Sequence, residues 1–221
     1  APAPAGKGAI TGKITFEGTP PAREKVDLSP DANCKAAHGD AGMLNPIGVE
    51  VDASGGLHNV FVELTGVPDS ANKDGKDLPP AVIDQSGCMY HPRTFGIMVG
   101  QNLEIKNSDP LLHNIKALGK KNRPFNISQP TAGMTTTRTF ATEEFPMAVE
   151  CNVHGWMHAH LGVMTHPFFA STGADGSFSI TGLPAGTYTI EAWHEKYGVQ
   201  TATVTVTGSD TKTADFTYTA K

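Results

Sequence analysis

One short stretch concentrates residues that could do chemistry. Cys151, His154 and Met157 stand in Cys151-Asn152-Val153-His154-Gly155-Trp156-Met157, placing a thiol, an imidazole and a thioether at the spacing C-x2-H-x2-M. A second imidazole, His113, lies upstream in Asn107-Ser108-Asp109-Pro110-Leu111-Leu112-His113-Asn114. Cu(I) favours soft sulfur and low coordination, whereas Cu(II) favours nitrogen. One Cys, two His and a long axial Met form a compromise set that suits copper in both states. Taken singly, each residue has a bland reading, since a buried Cys is usually a small hydrophobe. Together, at this spacing after the strand-like run 145–150, they predict one copper held by His113, Cys151, His154 and Met157. Cys151 supplies the thiolate, the two His the imidazoles, and Met157 the weak axial contact. Asn107 and Asn114 stand where an amide could hydrogen-bond near the sulfur and stiffen the site from behind. His158 and His160 share one face of a regular strand. They read as surface residues or, with His91 or His166, as a second metal site. His38, His58 and His194 read as structural.

Three cysteines are present, Cys34, Cys88 and Cys151. With Cys151 assigned to metal, two remain, and a Cys34–Cys88 disulfide in an exported protein accounts for them. Such a bridge closes a loop of about 54 residues, valued at about 4 kcal/mol by the chain-entropy model. The rival is a second metal site that uses Cys88 in Cys88-Met89-Tyr90-His91. The opening Ala-Pro-Ala-Pro-Ala-Gly reads as the trimmed start of an exported protein, and a lipid anchor stays open. A periplasmic or other extracytoplasmic location follows as an expectation. No apolar run reaches the ~18 residues of a membrane helix, so no transmembrane segment is expected. A net charge of −5 over 221 residues gives no footprint for nucleic acid. Nucleophile-elbow, zinc-protease, phosphate-loop and dinucleotide motifs are missing, so the chain does not read as an enzyme. The pair Glu143-Glu144 reads as a solvated turn.

The elements that must position these residues are strands. Gly 24 and Pro 16 supply turns, Thr and Val fill alternating runs, and long helical periodicity is hard to find, which is an all-β profile. Strands are expected at 9–17, 48–51, 58–64, 81–85, 94–99, 102–106, 113–117, 135–140, 145–151, 160–164, 177–180, 187–193, 202–207 and 213–218, with a short helix near 33–37. Tight turns are expected at 99–102, between two strands, and at Asp175-Gly176, as a hairpin. Residues 66–80 form a polar connector and the candidate boundary. The last 55 residues or so are too few to bury a core alone. Residues 1–66 and 167–221 are therefore expected to build one β-sandwich from both chain ends, with 67–166 inserted as a second. The alternative is a tandem of 1–166 and 167–221.

The stretch 170–193 resembles the carboxypeptidase regulatory-like domain, a transthyretin-like β-sandwich. Asp175, Gly176, Phe178, Leu183, Pro184, Gly186 and Tyr188 stand in its signature places. The central section resembles a Greek-key cupredoxin, and Cys151, His154 and Met157 match the short ligand loop of amicyanin. The combination is similar to exported bacterial methylamine-utilisation or plastocyanin-like proteins. The cupredoxin resemblance implies that His154 reaches the surface as an electron port, with Trp156, Pro110, Leu111 and Leu112 around it. It also implies an electron carrier between extracytoplasmic redox partners of the cytochrome or dehydrogenase type. Two rival functions are a periplasmic copper-handling protein and a structural or adhesion subunit of a larger complex.

Overall fold

The computed structural model describes residues 7–220, so the opening Ala-Pro-Ala-Pro-Ala-Gly lies outside the described residues. Among these the chain runs β1 (Gly8–Glu17), α1 (Ala32–His38), β2 (Phe61–Thr65), β3 (Ala81–Ser86), β4 (Met89–His91), β5 (Thr94–Met98), β6 (Leu103–Asn107), β7 (His113–Ala117), β8 (Phe125–Gln129), β9 (Thr135–Arg138), β10 (Glu144–Glu150), β11 (His158–Met164), β12 (Phe169–Ser171), β13 (Ser177–Leu183), β14 (Gly186–His194), β15 (Gly198–Val206), β16 (Thr211–Thr213) and β17 (Phe216–Thr219). The described residues are all-β apart from α1 and two short 3-10 turns. It divides into two compact units, one from 1–21, 48–73 and 166–221, the other from 22–47 and 74–165. Among the described residues no helix is long and apolar enough to cross a membrane.

The first unit joins two sheets, β13-β1-β16 with β17 also on β1, and β12-β2-β14-β15. Alternation explains the pairing. Ile10, Ile14 and Phe16 of β1 and Tyr188, Ile190 and Ala192 of β14 point into one apolar core. Gly12 takes the place between Ile10 and Ile14 on this face of β1, where a Cβ would come within 1.9 Å of the Ala214 carbonyl oxygen. The Tyr188 hydroxyl donates to the Pro184 carbonyl at 3.0 Å and pins the corner that enters β14.

The second unit pairs the sheets β5-β11-β10-β7-β8 and β4-β3-β6-β9 around Ile83, Ile97, Ile105, Ile115, Met147, Val149 and Leu161. Residues 22–47 belong to this unit, not with the chain ends where the sequence places them. Long-range ties draw them there. A Cys34–Cys88 disulfide is formed, His38 Nε2 donates to the Gly87 carbonyl at 2.8 Å, and the Arg93 guanidinium donates to the Pro46 carbonyl.

Several local expectations change. The turn at 99–102 joins β5 and β6 as expected, but Asp175-Gly176 joins β12 and β13, which lie in different sheets and form no hairpin. A turn signal reports a reversal of direction and does not choose the partner strand. Residues 48–51 contribute a single bridge, Val51 to Leu57, in place of a strand. β8, with inward Gln129 paired to His113, was not expected. Glu144 is buried, not solvated. Its carboxylate accepts N–H groups of Lys120, Lys121 and Asn122 and the Asn122 amide. Burial opposes its ionisation, but those N–H groups outweigh burial and hold its pKa below the ordinary 4.5.

Two outcomes follow. Reducing the Cys34–Cys88 bridge lowers unfolding stability by about 4 kcal/mol, read as a drop in the urea midpoint; an unchanged midpoint contradicts it. Glu144→Gln costs about 2 kcal/mol at neutral pH. A depressed folded pKa stabilises the protein above the unfolded value, and that stability is lost as pH falls through the folded value. The gap between wild type and variant therefore narrows below about pH 4.5 in denaturant titrations.

Candidate metal centre

β10 pairs with β7 through Val149–Ala117 and Glu150–Lys116, which brings the end of β10 to the strand that starts with His113. Glu150 also pairs with His158, so residues 151–157 form the loop between β10 and β11. That loop is closed by its own backbone: the Cys151 N–H donates to the Met157 carbonyl at 3.2 Å and the Met157 N–H to the His154 carbonyl at 3.0 Å. The candidate ligands thus gather at one end of the sandwich from one strand start and one short loop.

His113, Cys151 and His154 are buried, with their ligand atoms within 4.8 Å of one another. His113 Nδ1 lies 3.0 Å from His154 Nδ1, and Cys151 Sγ lies 3.9 Å from that same His154 nitrogen. Met157 is fully buried at the end of the loop and packs in the same core as Cys151. Among the described residues Cys151 is the free cysteine.

The opposite ring nitrogens fix the orientation of both imidazoles. His113 Nε2 faces the Asp109 carboxylate at 2.8 Å. Asp109 is itself fixed, because it accepts the Gly87 and Cys88 N–H groups, each at 2.8 Å. His154 Nε2 faces Asp31 Oδ2 at 3.4 Å and Cys34 Sγ at 3.6 Å. Asp31 is the N-cap of α1, where its other oxygen accepts the Asn33 and Cys34 N–H groups. A histidine that gives its outer N–H to a carboxylate presents its inner nitrogen as a lone pair, the arrangement found behind metal-bound imidazoles. Burial opposes ionisation of Asp31, yet the Cys34 N–H, His154 and the Asn33 N–H hold its pKa below the usual carboxylate range.

Asn114 lies behind the sulfur. Its Oδ1 is 3.3 Å from Cys151 Sγ and accepts the Asn152 N–H at 2.6 Å. The buried Tyr90 hydroxyl donates to the Asn114 carbonyl at 2.6 Å, and burial pushes its pKa far up. Asn107 does not touch the sulfur. It ties the loop into His113, donating to the Leu111 and Gln129 carbonyls and accepting the Asp109 N–H. Burial raises the Cys151 thiol pKa, but His154 and the N–H groups of Asn114, His154 and Val153 outweigh it and bring it below the ordinary 9.0.

The surface port expected at His154 is corrected. The ring is 2% exposed, covered by Asp31 and Cys34 of the 22–47 segment. Trp156 is partly exposed, its ring centroid 5.2 Å from that of His154, and its indole N–H donates to the Cys88 carbonyl at 2.9 Å. Leu111 is buried against Cys34 and Cys88, while Leu112 is exposed. The Cys34–Cys88 pairing removes the rival in which Cys88 and His91 bind metal. His91 donates to the Ser86 carbonyl and His158 to the Gly155 carbonyl. Among the described residues, no group of three metal-ligating side chains includes His91, His158, His160 or His166.

Asp109, Asp31 and Tyr90 had no assigned role in the sequence. Asp109 carried a usable signal, four positions before His113 in the same motif. In the metal-free protein the Cys151 thiolate absorbance should titrate below the usual thiol range and move upward in His154→Ala; an unmoved midpoint contradicts the assigned contact.

Residues 163–219 match the carboxypeptidase regulatory-like domain. No curated protein matches the chain. Solved structures similar to it include a Cu-containing nitrite reductase from Thermus scotoductus SA-01, at 20% identity and TM-score 0.37 over 39% of this chain and 22% of that one. A purple cupredoxin from Nitrosopumilus maritimus matches at 22% identity and TM-score 0.33, over 38% of this chain and 99% of its own. A Cu(I) amicyanin variant matches at 13% identity and TM-score 0.35, over 47% and 98%. The chain thus spans under a quarter of the nitrite reductase. Residues 163–219 are thus similar to the carboxypeptidase regulatory-like domain, and the solved structures similar to the chain include a purple cupredoxin and an amicyanin.

Proposed function

We propose that the second unit is a one-electron carrier built around a single type 1 copper, with His113, Cys151 and His154 as strong ligands and Met157 as the weak axial one. The observation that carries this reading is the 3.0 Å approach of the two Nδ1 atoms beside a buried thiol. With both outer nitrogens facing carboxylates, the inner ones direct lone pairs at each other. Lone pairs at that distance repel unless a cation or a shared proton lies between them. A thiol next to two imidazoles makes copper the fitting cation. When bound, copper supplies a reversible Cu(I)/Cu(II) couple.

The chain's own residues make that couple fast by not moving. Asp109 holds the His113 ring through a carboxylate anchored on two backbone N–H groups. Asn114 supports the thiolate with its backbone N–H and holds the start of the loop by accepting the Asn152 N–H on Oδ1. Trp156, partly exposed beside His154, is the route by which an extracytoplasmic redox protein exchanges the electron. The unit carries out no bond chemistry, and the regulatory-like unit serves as scaffold or docking platform. Burial of His154 favours a second reading, retention and delivery of copper, because a covered ring suits holding metal better than exposing it.

Two measurements check the assignment. Loading with Cu(II) should give an intense visible band and narrow copper hyperfine splitting in the electron paramagnetic resonance spectrum, both lost in Cys151→Ser. A weak spectrum of tetragonal copper that Cys151→Ser leaves unchanged sinks the carrier reading. Asp109→Asn should weaken copper binding about 10–100-fold while the protein stays folded.

A further inference from the structure

The disulfide is placed unlike a simple staple. Cys34 and Cys88 are 0% and 1% exposed, and Cys34 Sγ lies 3.6 Å from His154 Nε2, the nitrogen turned away from Cys151. The ligand atoms of Cys34, Cys88 and His154 lie within 4.8 Å of one another, and those of Cys88, Asp109 and His113 form a further such group. Cys88 also stands where its turn does not favour it. Gly87 and Cys88 are the two central residues between paired Ser86 and Met89, at φ 61 and 57. Such primed turns favour Gly, Asn or Asp at positive φ. A cysteine kept there serves its sulfur and not the turn. Two sulfurs and the outer nitrogen of His154, which faces Asp31, thus converge on the far side of the ring that faces Cys151.

We propose that reduction of the Cys34–Cys88 disulfide opens a second metal site, in which the two thiolates and His154 Nε2 take one Cu(I). Two soft thiolates select Cu(I), which accepts the low coordination that three donors offer. The step balances with a small dithiol as reductant. Its two thiols give two electrons and two protons, the S–S bond breaks, two cysteine thiols form, and the dithiol becomes a disulfide. On binding, each cysteine loses its proton to solvent as its S–Cu bond forms. His154 Nε2 gives up its proton to solvent by way of the Asp31 carboxylate, so that with both sites filled the ring is an imidazolate shared by two copper ions. The disulfide then acts as a gate that sets the copper capacity of the unit at one ion or two.

The test uses the full chain, with and without treatment by a water-soluble phosphine, which takes an oxygen from water as it reduces the bridge and is then removed. Cu(I) is titrated anaerobically against a chromophoric Cu(I) chelator. Reduction should raise retained Cu(I) by one equivalent in wild type and equally in Cys151→Ser, but not in the paired Cys34→Ser, Cys88→Ser variant. No increase in wild type overturns the proposal, as does the same increase in the paired variant. Loss of the near-UV circular dichroism of wild type on reduction also overturns it, because the site requires the folded unit. Failure of the electron-carrier reading is read separately, as the absence of any Cys151-dependent equivalent in the disulfide form.

Discussion

The hydrogen bond between Asp109 and His113 is the contact on which the rest of the site depends. At 2.8 Å and out of solvent, it decides which nitrogen of His113 carries the proton and therefore which one faces Cys151 and His154. The same carboxylate accepts N–H groups from the turn that holds Cys88. One acidic side chain thus fixes an imidazole, a left-handed turn and the sulfur that ties α1 to the sandwich. Losing it leaves two backbone donors and a buried ring without their acceptor, and unsatisfied groups of that kind are more costly than the bonds they replace are favourable.

The 22–47 segment changes the character of this end of the sandwich. Asp31 divides its carboxylate between capping α1 and facing His154, so formation of a seven-residue helix and orientation of a ring are coupled. Helices of this length are marginal by themselves. α1 therefore draws its stability from Asp31, from the disulfide and from a small apolar cluster of Leu28, Cys34, Met43, Cys88 and Leu111. Where the cupredoxin resemblance implies an exposed ring, this chain places a covered one, with Trp156 left at the surface.

Most of the candidate site was legible because it is local. Cys151, His154 and Met157 lie within seven residues, and alternation marked the strand that delivers them. The all-β class was legible for the same reason, since inward residues recur at every second position along β1 and β14, and along β10 from Met147 on. What escaped depends on contacts between distant positions. Asp31 meets His154 across 123 residues, and nothing near either announces the other. Glu144 looked like half of a solvated pair because its partners, Lys120 to Asn122, belong to another loop. The turn at 99–102 was correctly placed, while the one at 175–176 was correctly placed but is no hairpin, since β12 and β13 belong to different sheets.

The interleaved division of the chain bears on the order in which it can fold during synthesis. β1 pairs with β13, β16 and β17, partners made more than 160 residues later. The second unit is complete in sequence by Thr165. A growing chain can therefore close the candidate metal centre while β1 still lacks every neighbour in its sheet. An unpaired edge of this kind invites association with other chains. Cutting the gene anywhere between β1 and β13 also severs the first unit, so neither piece made alone would contain a complete β1 sheet.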